Sequence, residues 1–278
     1  MADAVLERRT AGPVAKSDLL ALAPREIRAL IRTGRWAGQS EGLAQGYAQA
    51  NLVILPKAVA FDFVLFCLRN QKPCPIVEIV DPGSPIVREV APGADLRTDL
   101  ARYSVYRNGE LVDEPQDIVD YLRDDLVCCL IGCSYSFEQA LLNARIPLRH
   151  LEENKIVSLY TSSIPCEPAG GFSGPMVVSM RPIRHDQVVR AVQVTSRFPA
   201  THGAPIHIGD PAAIGVDLDK LAFGSDRIEL RPDEVPVFWA CGCTPQAVAM
   251  ARKLDFMITH KAGYLFITDV LSEEIAAL

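Results

Sequence analysis

The sequence lacks an apolar run long enough to cross a bilayer. Its longest uncharged stretch, Val235 to Ala251, is broken by Pro236, Gly242, Thr244, Pro245 and Gln246, whereas a span takes roughly 18–20 continuous apolar residues. It also lacks any block of five or more like charges, and its formal net charge is −6. Nucleic acid and anionic membranes both select clustered Lys and Arg, so neither is expected as a partner. The first residues, MADAVLERRTAGPVAKSD, carry charges where a secretory leader would need its apolar region. A cytoplasmic location is therefore expected.

Histidine is scarce, with five in the chain. Cysteine is not, but the eight at 67, 74, 128, 129, 133, 166, 241 and 243 are scattered in apolar or glycine-flanked settings. That is the pattern of buried thiols, not of a secreted disulfide framework. Cys241-x-Cys243 has no second pair at zinc-finger spacing, so structural zinc is not expected. No 20–50-residue repeat or low-complexity tract is present. With 49% hydrophobic and 22% charged residues over 278 positions, the chain has material for one large domain or two small ones.

Periodicity predicts helices over Pro24 to Arg32, Ala58 to Arg69, Pro115 to Arg123, Ser136 to Ala144, Asp186 to Arg197 and Thr244 to Lys253. Tyr103 to Val112 reads as a hairpin, because Asn108-Gly109 supplies the positive φ of a type I′ turn. Leu126 to Ile131 and Val235 to Ala240 are continuous apolar runs, as expected of strands buried on both faces. Further strands are predicted at Lys155 to Ser162, Met176 to Arg181, Ala204 to Ile208, Phe256 to Thr259 and Leu265 to Thr268. The expected class is α/β: a mixed sheet with helices on both faces and a smaller two-layer α/β subdomain. Residues 1–135 and 200–278 would form the main domain, and 136–199 the insertion.

Two segments share one design. LIGCSYSFEQAL and WACGCTPQAVAM each run strand, Gly-Cys, hydroxyl residue, helix, and a strand end feeding a helix N-terminus is where α/β proteins place anions. Ser134, Ser136 and Thr244 are candidate caps or ligand-binding groups there, and Cys133 and Cys241 candidate reactive thiols. Arg149 and Arg181 are candidate clamps for a substrate carboxylate. The rigid loop Thr201 to Pro211 concentrates His202, His207 and Asp210. Acid/base work by His202, with His207 and Asp210 binding substrate, is the expectation, since the spacing matches no familiar metal site. The same three side chains could instead ligate a metal. Tyr47, Gln49 and Asn51 could line a pocket.

RTGRWAGQSEGLAQGYAQANLVILP, AFDFVLFCLRNQKPCPIVE, LIGCSYSFEQAL, RHLEENKIVSLYTSS, AGGFSGPMVVSMRP, THGAPIHIGDP, VFWACGCTPQ and ITHKAGYLFITD together resemble, in order and over almost the whole chain, the bacterial hydro-lyases grouped as the D-glutamate cyclase family. The resemblance implies a lyase of amino acid metabolism that converts D-glutamate to 5-oxo-D-proline with loss of water. The chain departs from the family at Cys243, where the family has valine, which leaves Cys133 and Cys241 as the better thiol candidates. It departs also at Ile156 to Tyr160, and at Lys261 beside His260. Such a cyclisation needs a held α-carboxylate, a proton acceptor for the ammonium and a proton donor for departing hydroxide. No cofactor is required in principle. The expected partner is a small carboxylate substrate, with homo-oligomerisation left open, and a carboxylate sensor is the alternative to an enzyme.

Overall fold

Ten residues without a charged side chain, Tyr47–Pro56, make the central strand β1 of the larger sheet. The computed structural model describes residues 12–277; the first eleven residues of the charged segment read above for its lack of a leader lie outside that range. Two short helices, α1 (Lys16–Leu19) and α2 (Pro24–Arg32), precede β1. Then follow α3 (Lys57–Arg69), β2 (Ile76–Val80), the hairpin β3 (Tyr103–Arg107) and β4 (Glu110–Asp113), and β5 (Leu126–Gly132). A 3₁₀ turn at Ser134–Phe137 leads into α4 (Glu138–Asn143) and α5 (Arg149–Glu152). The second half contains β6 (Ser158–Pro165), β7 (Pro175–Arg184), α6 (Val188–Ser196), β8 (His207–Ile208), β9 (Glu234–Ala240), α7 (Cys243–Ala251), β10 (Met257–His260) and β11 (Phe266–Leu271).

The first sheet has the order β2-β5-β1-β10-β3-β4, with β11 sharing one edge of β1 with β10; the second has the order β6-β7-β9-β8. Alternation along β1 places Ala50, Leu52 and Ile54 in one core and Val53 and Leu55 in another. The first core lies under the loop excursion that carries Val87, Leu96 and Ile118; the second lies under α3 and α7, where Phe63 and Phe172 meet edge to face at 5.5 Å. On the second sheet, Val237 and Trp239 face α4 and α6, while Val178, Met180 and Phe238 face the other way.

The α/β class holds, with one difference of detail. Every ladder among the described residues is antiparallel, where a mixed sheet was expected. The helix α3 does connect two strands that run the same way, β1 and β2. The antiparallel β5 is inserted between them, so the strand–helix–strand pattern is present but its strands are not neighbours.

Pro115 to Arg123 forms turns, not a helix: one turn suffices to direct Ile118, Tyr121 and Leu122 into the core. Only His207–Ile208 of the strand expected from Ala204 is paired. The second sheet runs from Ser158 to Ala240, beyond the 136–199 insertion, because β9 pairs with β7 along seven residues from Val178↔Ala240 to Arg184↔Glu234.

The sheets join where the turn after β9 rests on β1. A Cβ at Gly242 would fall on the Asn51 side-chain amide, which is fixed because its Nδ2 donates to the carbonyls of Ile131 and Gly132 at 3.3 and 3.1 Å. Gly242→Ala should therefore destabilise the fold by about 1–3 kcal/mol, the usual cost of overpacking. Urea denaturation reads this, and wild-type stability would show that the joint is slack.

Candidate active site

Both β5 and β9 end against the same cleft. It is narrow, with about 20 Å³ of free space, and its lining includes Asn51, Cys133, Ser134, Tyr135, Cys241, Cys243 and His260 with apolar Ile156, Val157, Leu159 and Leu265. That composition, an apolar wall with a few convergent polar groups, is typical of small-molecule sites.

The two turn cysteines differ in chemistry. Cys241 accepts a hydrogen bond from the Cys243 thiol, which lowers its pKa against the opposing effect of burial; the Cys243 backbone N–H, 3.4 Å from its Sγ, and the charge of Arg181 act in the same direction. Cys243, as the donor of that pair, is pushed well above the ordinary thiol range. Cys133 is also raised, chiefly by burial. The cleft therefore holds one sulfur disposed to be thiolate and one held as thiol.

His260 enters through a defect in the sheet. β10 pairs with Val53 and Ile54 and β11 with Ala50 and residues before it, so the same edge of β1 is unpaired at Leu52. The imidazole fills the gap: the Leu52 N–H donates to Nδ1 at 3.2 Å. Burial lowers the His260 pKa to about 4, so the ring is neutral at physiological pH. The Leu52 carbonyl lies 3.4 Å from the same Nδ1; the N–H contact is the shorter of the two, and the tautomer that satisfies it carries its proton on Nε2, the nitrogen left for a ligand. Asn51 is oriented by the same logic. Its Nδ2 is committed to β5, which leaves Oδ1 as an acceptor.

Behind the cleft lies a buried charge cluster. Arg181, projecting from β7, donates through Nε and Nη2 to Glu138 Oε1 at 3.1 and 2.5 Å, through Nη2 to Ser134 Oγ at 3.0 Å and through Nη1 to Ser179 Oγ at 3.2 Å. Its guanidinium lies 5.4 Å from the Phe137 ring centroid and 5.5 Å from that of Trp239. His150 Nε2 is 2.9 Å from Glu138 Oε1 and 3.4 Å from Glu41 Oε1. Burial alone would raise the Glu138 pKa, but His150 and Arg181 outweigh it and hold the carboxylate ionised. Glu41 goes the other way: burial, reinforced by the Glu138 charge, raises it to about 8. Two neighbouring carboxyls thus occupy opposite protonation states at neutral pH.

The structure brings Asn51, Cys133, Ser134 and Cys241 together, with Arg181 directly behind Ser134. The other expected residues lie elsewhere. Arg181 spends four of its five N–H donors on Glu138 and the two serines, which leaves no pair of donors for a bidentate carboxylate clamp. Ser136 and Thr244 do not cap helices: Ser136 Oγ accepts from the Gln49 N–H at 3.0 Å, and Thr244 Oγ1 accepts from Val177 N–H at 3.0 Å and donates to the Cys241 carbonyl at 2.8 Å. Arg149 ion-pairs with Glu234 and donates to the Glu229 carbonyl on the outer side of the second sheet.

The three loop residues do not converge. His202 donates through Nδ1 to the Lys72 carbonyl at 2.8 Å, and burial lowers its pKa to about 4. It tethers the loop after α3 and is not part of the cleft lining. His207 pairs with Phe238 across β8 and β9, which puts it on the face of the second sheet opposite Arg181 and Trp239; its Nε2 donates to the Asp210 carbonyl at 2.7 Å. The Asp210 carboxylate accepts from the Ala212 N–H at 3.0 Å and caps the turn Pro211–Ile214.

The sequence profile described as D-glutamate cyclase matches residues 127–269. A protein of Bacillus licheniformis named "Putative hydro-lyase" is 57% identical over 258 residues, covering 92% of this chain and 98% of its own. One of Bacillus subtilis with the same designation is 56% identical over 258 residues, covering 92% and 100%. Another, of Thermoanaerobacter pseudethanolicus, is 59% identical over 256 residues, covering 92% and 96%. The chain belongs to the D-glutamate cyclase family. The segment matched by the family profile carries both cysteine turns, Glu138, Arg181 and His260; Glu41 and Asn51 come from the part of the chain before it. Among the described residues no helix is long and apolar enough to cross a membrane.

Sequence reasoning missed Glu41, Glu138, His150 and His260. Glu138 carried a signal, a lone acid inside the apolar run Leu130 to Leu141. Glu41 makes the cluster testable. The unfolded chain holds its proton only to about pH 4.3, whereas the folded chain holds it to about pH 8. The native state binds the extra proton between those values, so this group's stabilisation is complete below the lower pKa and is lost as pH rises through the upper one. Glu41→Gln keeps a neutral side chain throughout. Its stability relative to wild type should therefore rise by roughly 1–4 kcal/mol from about pH 5 to pH 8.5, read by urea denaturation at each pH. A pH-independent difference would mean that Glu41 is ionised in the fold.

Proposed function

We propose that the protein is an enzyme that closes D-glutamate to 5-oxo-D-proline and water in the cleft between β5 and β9. In this reaction a C–N bond forms between the amino nitrogen and the γ-carboxyl carbon, and a C–O bond breaks. Two protons leave nitrogen and both end on the departing oxygen. The site must therefore offer a proton acceptor beside nitrogen and a proton donor beside the γ-carboxyl group.

The observation that carries this reading is the pairing in one cleft of a thiolate-disposed Cys241 with the thiol of Cys133. Cys241 accepts the first ammonium proton and Cys133 supplies one to the leaving oxygen; that oxygen departs as hydroxide and takes the second proton from nitrogen as the lactam forms, and transfer of the proton on Cys241 to Cys133 restores both sulfurs. His260 Nε2–H polarises the γ-carboxyl group and stabilises the tetrahedral oxyanion. Asn51 Oδ1 receives the ammonium, which favours an amino acid over a hydroxy acid. The N-terminus of α7 supplies a favourable field for the α-carboxylate. Arg181 keeps the Cys133 turn in place through Ser134 and takes no direct part.

The test is incubation of the purified chain with D- and L-amino acids and hydroxy acids, followed by NMR and chiral chromatography. D-glutamate should be consumed with 5-oxo-D-proline appearing in equal amount, and Cys241→Ser should lower kcat roughly 10²–10⁴-fold. Tight binding of an acid with turnover of none would overturn the enzyme reading in favour of a carboxylate sensor.

A further inference from the structure

Lactam formation uses one base and one acid at nitrogen and at the γ-carbon. It does not by itself call for two cysteines, one from each sheet, in the lining of one cleft. Cys133 follows β5 of the first sheet and Cys241 follows β9 of the second, so each sheet contributes one cysteine to the cleft lining. Neither is committed to a structural partner elsewhere: Cys241 meets its neighbour Cys243, and Cys133 is a free, buried thiol. Donors and acceptors for the rest of an amino acid are at hand in His260 and Asn51.

We propose that the cleft also exchanges the α-hydrogen of a free amino acid with solvent and interconverts its D and L forms, through Cys241 and Cys133, one contributed by each sheet. The inference rests on the reading that the cleft takes an amino acid. In the forward step the Cα–H bond breaks, its proton passes to the Cys241 sulfur, and its electron pair moves into the carboxylate to give an enediolate. His260 Nε2–H and the N-terminal field of α7 hold the added charge on the carboxylate oxygens. The Cys133 S–H then protonates Cα from the other face, which forms the inverted amino acid and leaves Cys133 as thiolate and Cys241 as thiol. Proton exchange with water restores the starting state, or the opposite enantiomer does so by the reverse path. No oxidant, metal or organic cofactor enters the balance. Asn51 Oδ1 keeps the ammonium protonated during the step, and a charged ammonium makes the α-hydrogen more acidic.

The experiment uses the full chain in D₂O with D-glutamate and, separately, L-glutamate. The Cα–H signal is followed by NMR, and enantiomers and lactam by chiral chromatography. The expected result is loss of the α-hydrogen signal from unreacted amino acid and appearance of the opposite enantiomer carrying deuterium at Cα. Cys133→Ser and Cys241→Ser should each slow inversion by roughly 10²-fold or more while still binding glutamate in a calorimeter. Should either variant fail to fold, the wild-type measurement decides alone. Lactam formed with its α-hydrogen fully retained, and no exchange in the residual substrate, overturns this proposal and leaves the cyclisation standing. Inversion without lactam does the reverse. Exchange without inversion overturns the two-cysteine mechanism, since one sulfur would suffice.

Discussion

A guanidinium sealed between two sheets must find a carboxylate, and the arrangement of the site follows from how Arg181 does so. Desolvating an isolated charge costs many kcal/mol, so once β7 carries Arg181 into the interior, Glu138 has to be brought to it from the start of α4. That requirement fixes the 3₁₀ turn before α4, and with it Ser134, which accepts from the same guanidinium, and Cys133 immediately upstream. Phe137 and Trp239 flank the guanidinium and exclude water from the pair. One ion pair thus locks the turn of the first sheet against the strands of the second, and it sets the electrostatic background in which Cys241 sits.

The same pair explains why the site contains two carboxyls with different protonation. Glu138 holds the positive partners, so the charge it keeps is a penalty for the next carboxyl. Glu41, 3.4 Å from the His150 nitrogen already used by Glu138, has no hydrogen-bond partner at its Oε1 among the described residues and keeps its proton instead. Tyr135 lies between this cluster and the cleft, moderating the rise of the Glu41 pKa on one side and lining the cleft on the other.

Much of the fold was legible where burial was uniform or a turn was chemically specific. The apolar runs at β5 and β9 and the Asn108-Gly109 hairpin, with φ of 52° and 81°, declare themselves locally. The central strand β1 did not, because Gln49 and Asn51 interrupt its apolar character and two-sided burial removes any alternation. Both amides serve the fold by bonding to main-chain carbonyls. The site divides in the same way. Strand-to-helix turns carrying cysteine and the lone Arg181 were visible as a pattern, whereas the partners Glu41, Glu138 and His150 find it from as far as 140 positions away, and single charges look like surface until their partners are known. His207 and Asp210 misled for the opposite reason. A glycine- and proline-rich loop with a histidine resembles a site, but here its polar groups satisfy one another within the loop.

The gap in the ladder beside Leu52 bears on how the protein tolerates change. In many enzymes the tautomer of a working histidine is set by a carboxylate, and one mutation of that residue scrambles it. Here Nδ1 of His260 faces only main-chain groups of Leu52, the N–H at 3.2 Å and the carbonyl at 3.4 Å, and a main-chain group has no codon of its own. Side-chain replacement at position 52 leaves the donor in place unless it introduces proline. The placement of the His260 proton is therefore shielded from almost all single substitutions and is inherited with the strand register itself.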